Sequence, residues 1–203
     1  GSETPWLVNS STTRSMSAES EPCGMSSGPS DSSASRFCTA FRLALIVLIE
    51  CVIAGRVIPV FTANVTPGLQ IRPRPRLEQV TMAITAMALL LWVLVAPNPG
   101  SAWVLWGVAV LHMVRMLRWQ SWVTRDRPIL WILHAAYLWM PIGFALLGAA
   151  QWGLLPASVG IHALTVGVTG GLIIGMITRT ARGHTGRAMK ASRTEVFAYG
   201  LIL

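Results

Sequence analysis

Charge is scarce in this sequence, and acidic charge is scarcest. Only 12% of its 203 residues are charged, with 8 Asp and Glu against 16 Lys and Arg. A soluble domain of this size needs more charge than that to cover its surface. Cysteine is also sparse: Cys23, Cys38 and Cys51 show no CxxC or other metal-ligand spacing. They define no zinc module, and Cys51, inside an apolar run, reads as a small buried hydrophobe. There is no Walker loop, dinucleotide fingerprint, HExxH motif or nucleophile elbow, so a soluble-type hydrolase or NTPase is not supported. A basic start followed by an apolar core is missing too, so no signal peptide is read at residue 1.

Apolar surface is abundant. Hydrophobic residues make up 53% of the chain, with nine Trp, which places it in the membrane class. Residues 1–36 are the exception: Ser-rich, without a period of 2 or 3.6, they read as a disordered leader. From residue 37 to 203, apolar segments alternate with short polar breaks. They run from about Leu43 to Val60, Leu77 to Ala96, Ala102 to Leu117, Pro128 to Ala150 and Pro156 to Thr178. A sixth begins near Val196 and is cut off at Leu203. Each full segment approaches the roughly 20 residues that span a bilayer core. The expected fold is therefore all-α, a polytopic transmembrane bundle of about five full spans and a partial sixth. The short third span is expected to use Arg118 and Trp119 at the interface by snorkelling.

The net charge of +8 would suit a nucleic-acid binder, but the positions of the basic residues point elsewhere. Arg72, Arg74 and Arg76 follow the first span, and Arg115, Arg118, Arg125 and Arg127 follow the third. Arg179, Arg182, Arg187, Lys190 and Arg193 follow the fifth, whereas 97–101 and 151–155 carry none. This alternation is the positive-inside pattern and puts the basic connections in the cytoplasm. Trp103, Trp106 and Trp152 fall at the opposite ends and Trp119, Trp122 and Trp131 at the basic ends, as two aromatic belts. The first span then begins outside, with the Ser-rich segment, although no export signal precedes it. The expectation is a chain truncated at both ends with a foreign leader; the alternative is a native tail that translocates unaided.

All four histidines lie in or beside the spans, where ionisable residues are costly and default to functional hypotheses. His112 sits roughly 8 Å from the cytoplasmic end of the third span and His134 roughly 9 Å into the fourth. Two neighbouring helices thus carry imidazoles at a similar depth, and His184 follows in the next basic connection. His162 opens the fifth span, about 33 Å from His184 along a continuous helix. One metal cannot bind both, so two sites on opposite sides are permitted. Neutral imidazole suits haem iron, copper or zinc. A single histidine in a span is also often a hydrogen-bonded packing residue. Met113, Met116 and Met140 offer soft sulfur to copper(I), against a reading as apolar filler. Glu50 and Arg56, on different faces of the first span, call for partners on neighbouring helices or a water-filled cavity. Gly167, Gly171 and Gly175 recur on one face, which marks close helix contact or, alternatively, a seat for a flat macrocycle.

The stretch from His162-Ala-Leu-Thr-Val-Gly through Met176-Ile-Thr-Arg179 to Gly183-His184-Thr-Gly-Arg187 resembles the signature of the NnrS family. Gly55-Arg56-Val-Ile-Pro59 through Asn64, Arg127-Pro-Ile-Leu-Trp131 through Trp139, and His112 with Arg115 and Trp119 resemble further blocks. The resemblance covers about residues 43–203; residues 1–36 match nothing recognisable in the family. It implies a multi-pass protein of the bacterial inner membrane that carries haem and copper and serves the response to nitric oxide and nitrosative stress. The chain would be the C-terminal half of such a protein. Its partners would be the lipid bilayer, nitric oxide or a derived metal-nitrosyl species, and the N-terminal half. By this reading His112, His134, His162 and His184 are the candidate metal ligands, with Arg179 and Arg187 pairing with haem propionates. The resemblance supplies no reaction. A transporter or permease fragment, and a membrane redox enzyme acting on nitric oxide, are the competing readings.

Overall fold

A computed structural model of the chain describes residues 29–66 and 75–203. Residues 1–28, with Cys23, and Arg72 and Arg74 of the first basic connection lie outside the described residues. The described part is helical. α1 is Pro29–Val65, α2 Pro75–Leu94, α3 Pro99–Arg118 and α4 Pro128–Gln151. A fifth span, Ala157–His184, consists of α5 (Ala157–His162), a π-helical stretch (Ala163–Gly170) and α6 (Gly171–His184). α7 is Arg193–Ile202. Five of these units are long and apolar enough to cross a membrane.

Proline sets most of the boundaries. α1 to α4 each begin with one, and α5 follows Pro156. Its fixed φ suits the first helical turn, and its missing N–H would have no helical acceptor there. Asn98 caps α3, its side-chain oxygen accepting from Ser101 N at 2.9 Å. Ser192 and Glu195 form a reciprocal capping box at the start of α7. Glu195 also pairs with Arg182 at 2.5 Å, and that guanidinium holds its carboxyl down to about 2. The pair ties α7 back to α6.

α1 starts at Pro29, inside the stretch read as leader, and the fifth span runs past Thr178 to His184. α3 reaches twenty residues by taking in Pro99 and Arg118. It has no need of Trp119 as an interfacial anchor, and that ring is 3% exposed. Trp103, Trp106 and Trp152, expected at the opposite ends, cluster with centroids 5.0–6.4 Å apart.

α4 is the hub, packed against α3, the fifth span and α1. The glycine stripe faces it. A Cβ at Gly171 would come within 2.6 Å of Ala136, and one at Gly175 within 2.8 Å of Leu133, while Gly167 lies against Trp139. The stripe is therefore a helix–helix contact of the small-residue type, and α4 occupies the face considered above for a macrocycle. α1 and α2 turn large apolar side chains outward, among them Ile49, Ile53, Val60, Met87 and Leu94. Such a surface is what lipid tails accept.

Candidate functional site

The polar chemistry of the bundle is concentrated where α1, α2, α3 and α4 meet. His112 and Arg115 lie on neighbouring turns of α3, with His112 fully buried and Arg115 2% exposed. The His112 ring stacks on Phe144, centroids 5.5 Å apart and planes within 7°. Its Nδ1 is 2.6 Å from Tyr137 Oη and its Nε2 3.0 Å from Thr85 Oγ1. The Thr85 hydroxyl donates to the Thr81 carbonyl at 2.6 Å, so its single proton is committed. Thr85 therefore accepts from Nε2–H, and Nδ1 accepts from the Tyr137 hydroxyl. Tyr137 Oη in turn accepts from Arg115 Nη1 at 3.1 Å. The directions form one chain, Arg115 to Tyr137 to His112 to Thr85 to Thr81, with every proton accounted for.

Arg115 anchors that chain. Its Nε and Nη2 grip both oxygens of Glu78, Nε at 3.1 Å, as a two-pronged ion pair. Its Nη1 also donates to the Cys51 carbonyl at 3.0 Å, and its guanidinium lies 5.2 Å from the Trp119 ring centre. Gly55 makes room for it, because a Cβ there would fall on Arg115 Nη2. The basic-connection reading of Arg115 is thus corrected. It is a buried, paired charge inside α3 and not a cytoplasmic surface charge. Glu78 went unnoticed in the sequence. The available signal was a carboxylate at the start of an otherwise apolar span, with an arginine three residues after His112.

His112 and His134 are not brought together. His134, 5% exposed, donates from Nδ1 to the Leu130 carbonyl at 3.3 Å. Its Nε2 faces Thr62 Oγ1 at 3.5 Å, whose hydroxyl already donates to the Ile58 carbonyl at 2.8 Å. That leaves Nε2 with a free lone pair. His162 is exposed and donates from Nδ1 to the Ser158 carbonyl at 2.7 Å, which also leaves its Nε2 unengaged. Beside it is an apolar crevice of about 250 Å³ lined by Trp139, Leu146, Val166, Gly167 and Leu203. His184 is exposed at the far end of the same span. Arg187 is exposed beyond it, and Arg179 lies over the Phe61 ring at 3.9 Å with Nη1 buried and unpartnered. Arg179 and Arg187 therefore share His184's end of the span and cannot serve a group held at His162. Among the described residues, no three His, Cys, Asp or Glu side chains converge on one metal position.

Glu50 meets Thr169 on the π-helical stretch, and its Oε2 is buried without a partner. Arg56 is exposed on the outside of the bundle. π-helical turns inside longer helices often mark functional positions, and this one directly follows His162 and carries Gly167, the first residue of the glycine stripe.

These features define a multi-pass helical membrane protein with a buried, charge-paired polar chain at its centre. A protein-family model described as NnrS protein matches residues 24–203. The chain belongs to the NnrS family. The match begins before residue 37, where the sequence reading set the domain boundary. No curated protein and no solved structure matches the chain.

Proposed function

We propose that this chain is a haem- and copper-binding protein of the bacterial inner membrane that acts in the response to nitric oxide. The observation that carries the haem part is His162. An imidazole with Nδ1–H fixed on a backbone carbonyl presents Nε2 in one tautomer and one orientation, as metal-bound histidines generally do. Exposed beside an apolar crevice, His162 would be free to hold a haem iron through Nε2. The residues present thus fit a haem through a single protein ligand at that end of the span. Bound there, haem iron would supply a position open to a diatomic ligand such as nitric oxide. The Ser158 carbonyl orients the ring, and Trp139 and Leu146 line the crevice beside it. His134, with a free Nε2 but 5% exposure, and His184, exposed and followed by Arg187, are weaker candidates for the same role.

The absorption spectrum of the full chain purified from haem-replete cells tests this reading. A Soret band is expected, and His162→Ala, at an exposed position, should remove or shift it without unfolding the bundle. A folded chain without a Soret band would overturn the haem reading. It would favour a permease, for which the unpartnered Glu50 Oε2 is the supporting observation.

A further inference from the structure

Three soft or borderline donor atoms from three helices meet at the centre of the bundle. Cys51 Sγ of α1 lies 3.9 Å from His112 Nε2 of α3 and 3.7 Å from Met140 Sδ of α4. All three side chains have no solvent exposure. We propose that Cys51, His112 and Met140 form a buried binding site for a single copper(I) ion. This deepens the copper part of the proposed function and rests on it, but it is argued from these three residues alone.

Spacing is the first ground. An N and an S donor bonded to one ion at about 2.0 and 2.3 Å stand about 3.5–3.7 Å apart, and two S donors about 3.8–4.0 Å, at tetrahedral to trigonal angles. The two separations at Cys51, 3.9 Å to His112 Nε2 and 3.7 Å to Met140 Sδ, lie within about 0.2 Å of those ranges, so an ion joining Cys51 to its two neighbours asks for only small side-chain shifts. Donor type is the second ground. A thiolate, a thioether and an imidazole select copper(I) among the common metals. Charge is the third. Copper(I) replaces the Cys51 thiol proton, which leaves for solvent, and the resulting complex of one cation, one thiolate and two neutral donors carries no net charge. A divalent ion on the same donors would leave a positive charge in the membrane interior, which is costly.

Binding the ion rearranges the surrounding hydrogen bonds. Ligation through His112 Nε2 puts the ring proton on Nδ1, where Tyr137 Oη, 2.6 Å away, turns from donor to acceptor. That oxygen has lone pairs for both His112 and Arg115, but its own proton loses Nδ1 as acceptor, a cost that the bond from Nε2 to copper has to exceed. A second partner of this kind fixes the tautomer of a metal-bound histidine. Thr85 keeps its bond to the Thr81 carbonyl and gives up only the one from Nε2.

The full chain, expressed in cells supplied with copper and purified in detergent, should retain copper through desalting. Its X-ray absorption edge should be that of copper(I), with a neighbour shell of sulfur and nitrogen. Cys51→Ser should lower copper content by about tenfold or more, by analogy with the larger second-shell losses. Met140→Leu, which conserves volume, should lose one sulfur from the shell, and Met113→Leu should change nothing. Circular dichroism and monodisperse elution establish that each variant is folded. Folded wild-type chain without copper would overturn the site, and so would copper whose sulfur shell is unaltered in both Cys51→Ser and Met140→Leu. In the latter case copper binding stands and only its location fails. A haem spectrum in copper-free protein would leave the haem reading intact while refuting this one.

Discussion

Replacing Glu78 with alanine should cost about 3–5 kcal/mol of folding stability, the range for stranding one member of a buried ion pair. The side chains of Arg115 and Glu78 are 2% and 33% exposed, so the two partners are not equivalent. Without Glu78, the Arg115 guanidinium stays enclosed by Gly55, Tyr137 and Trp119 with only the Cys51 carbonyl and Tyr137 Oη as acceptors. Without Arg115, the third-exposed carboxylate of Glu78 can still reach water. Arg115→Met should therefore be the milder change. Because a well-packed apolar replacement of a whole buried pair is often neutral, Glu78→Ala combined with Arg115→Met should recover much of the loss. Unfolding of the three variants in the same detergent measures this cycle. A Glu78→Ala loss below about 1 kcal/mol, the scale of surface pairs, would mean that the pair is not buried as described. So would a double variant no better than Glu78→Ala.

Gly55→Ala should be nearly as damaging, although it adds a single methyl group. The new Cβ would occupy the place of Arg115 Nη2, and the guanidinium would have to leave Glu78, the Cys51 carbonyl and Tyr137 together. Overpacking alone costs about 1–3 kcal/mol, and the stranded charge raises the loss toward about 3–5 kcal/mol. In an Arg115→Met background the same substitution should lose most of its effect, because the atom it displaces is gone. Gly107→Ala serves as the control: its Cβ meets nothing within 4 Å, so it should be neutral or stabilise by about 0.4–1 kcal/mol. Equal losses at Gly55 in both backgrounds would separate the glycine from Arg115 and contradict the geometry.

The spans and their order were legible because apolar length and proline boundaries are local properties. The glycine stripe was legible for the same reason, since three small residues on one helical face need only one segment to be seen. Arg115 and Trp119 were misplaced because an arginine near a span end followed by tryptophan has the same local pattern whether it faces headgroups or a neighbouring helix. What decided between them was Glu78 on α2 and Gly55 on α1, both distant in sequence. The expectation of a shared level for His112 and His134 followed from counting along each helix. In the bundle His112 instead reaches Tyr137 and Phe144 on α4, residues later in that helix than His134, while His134 looks toward Thr62. Cys51 was correctly expected to be buried, but its two donor neighbours come from α3 and α4 and leave no trace around residue 51. The π-helical stretch Ala163–Gly170 had no periodic signature. Its small and β-branched residues hold a regular α-helix only weakly.

The most direct measurement of the proposed activity is a spectroscopic titration of the reduced, purified full chain with nitric oxide. If haem is held through His162 Nε2, nitric oxide should shift the Soret band saturably, and His162→Ala should give no such shift. A Soret band that nitric oxide leaves unmoved, or one that responds identically with and without His162, would contradict the assignment.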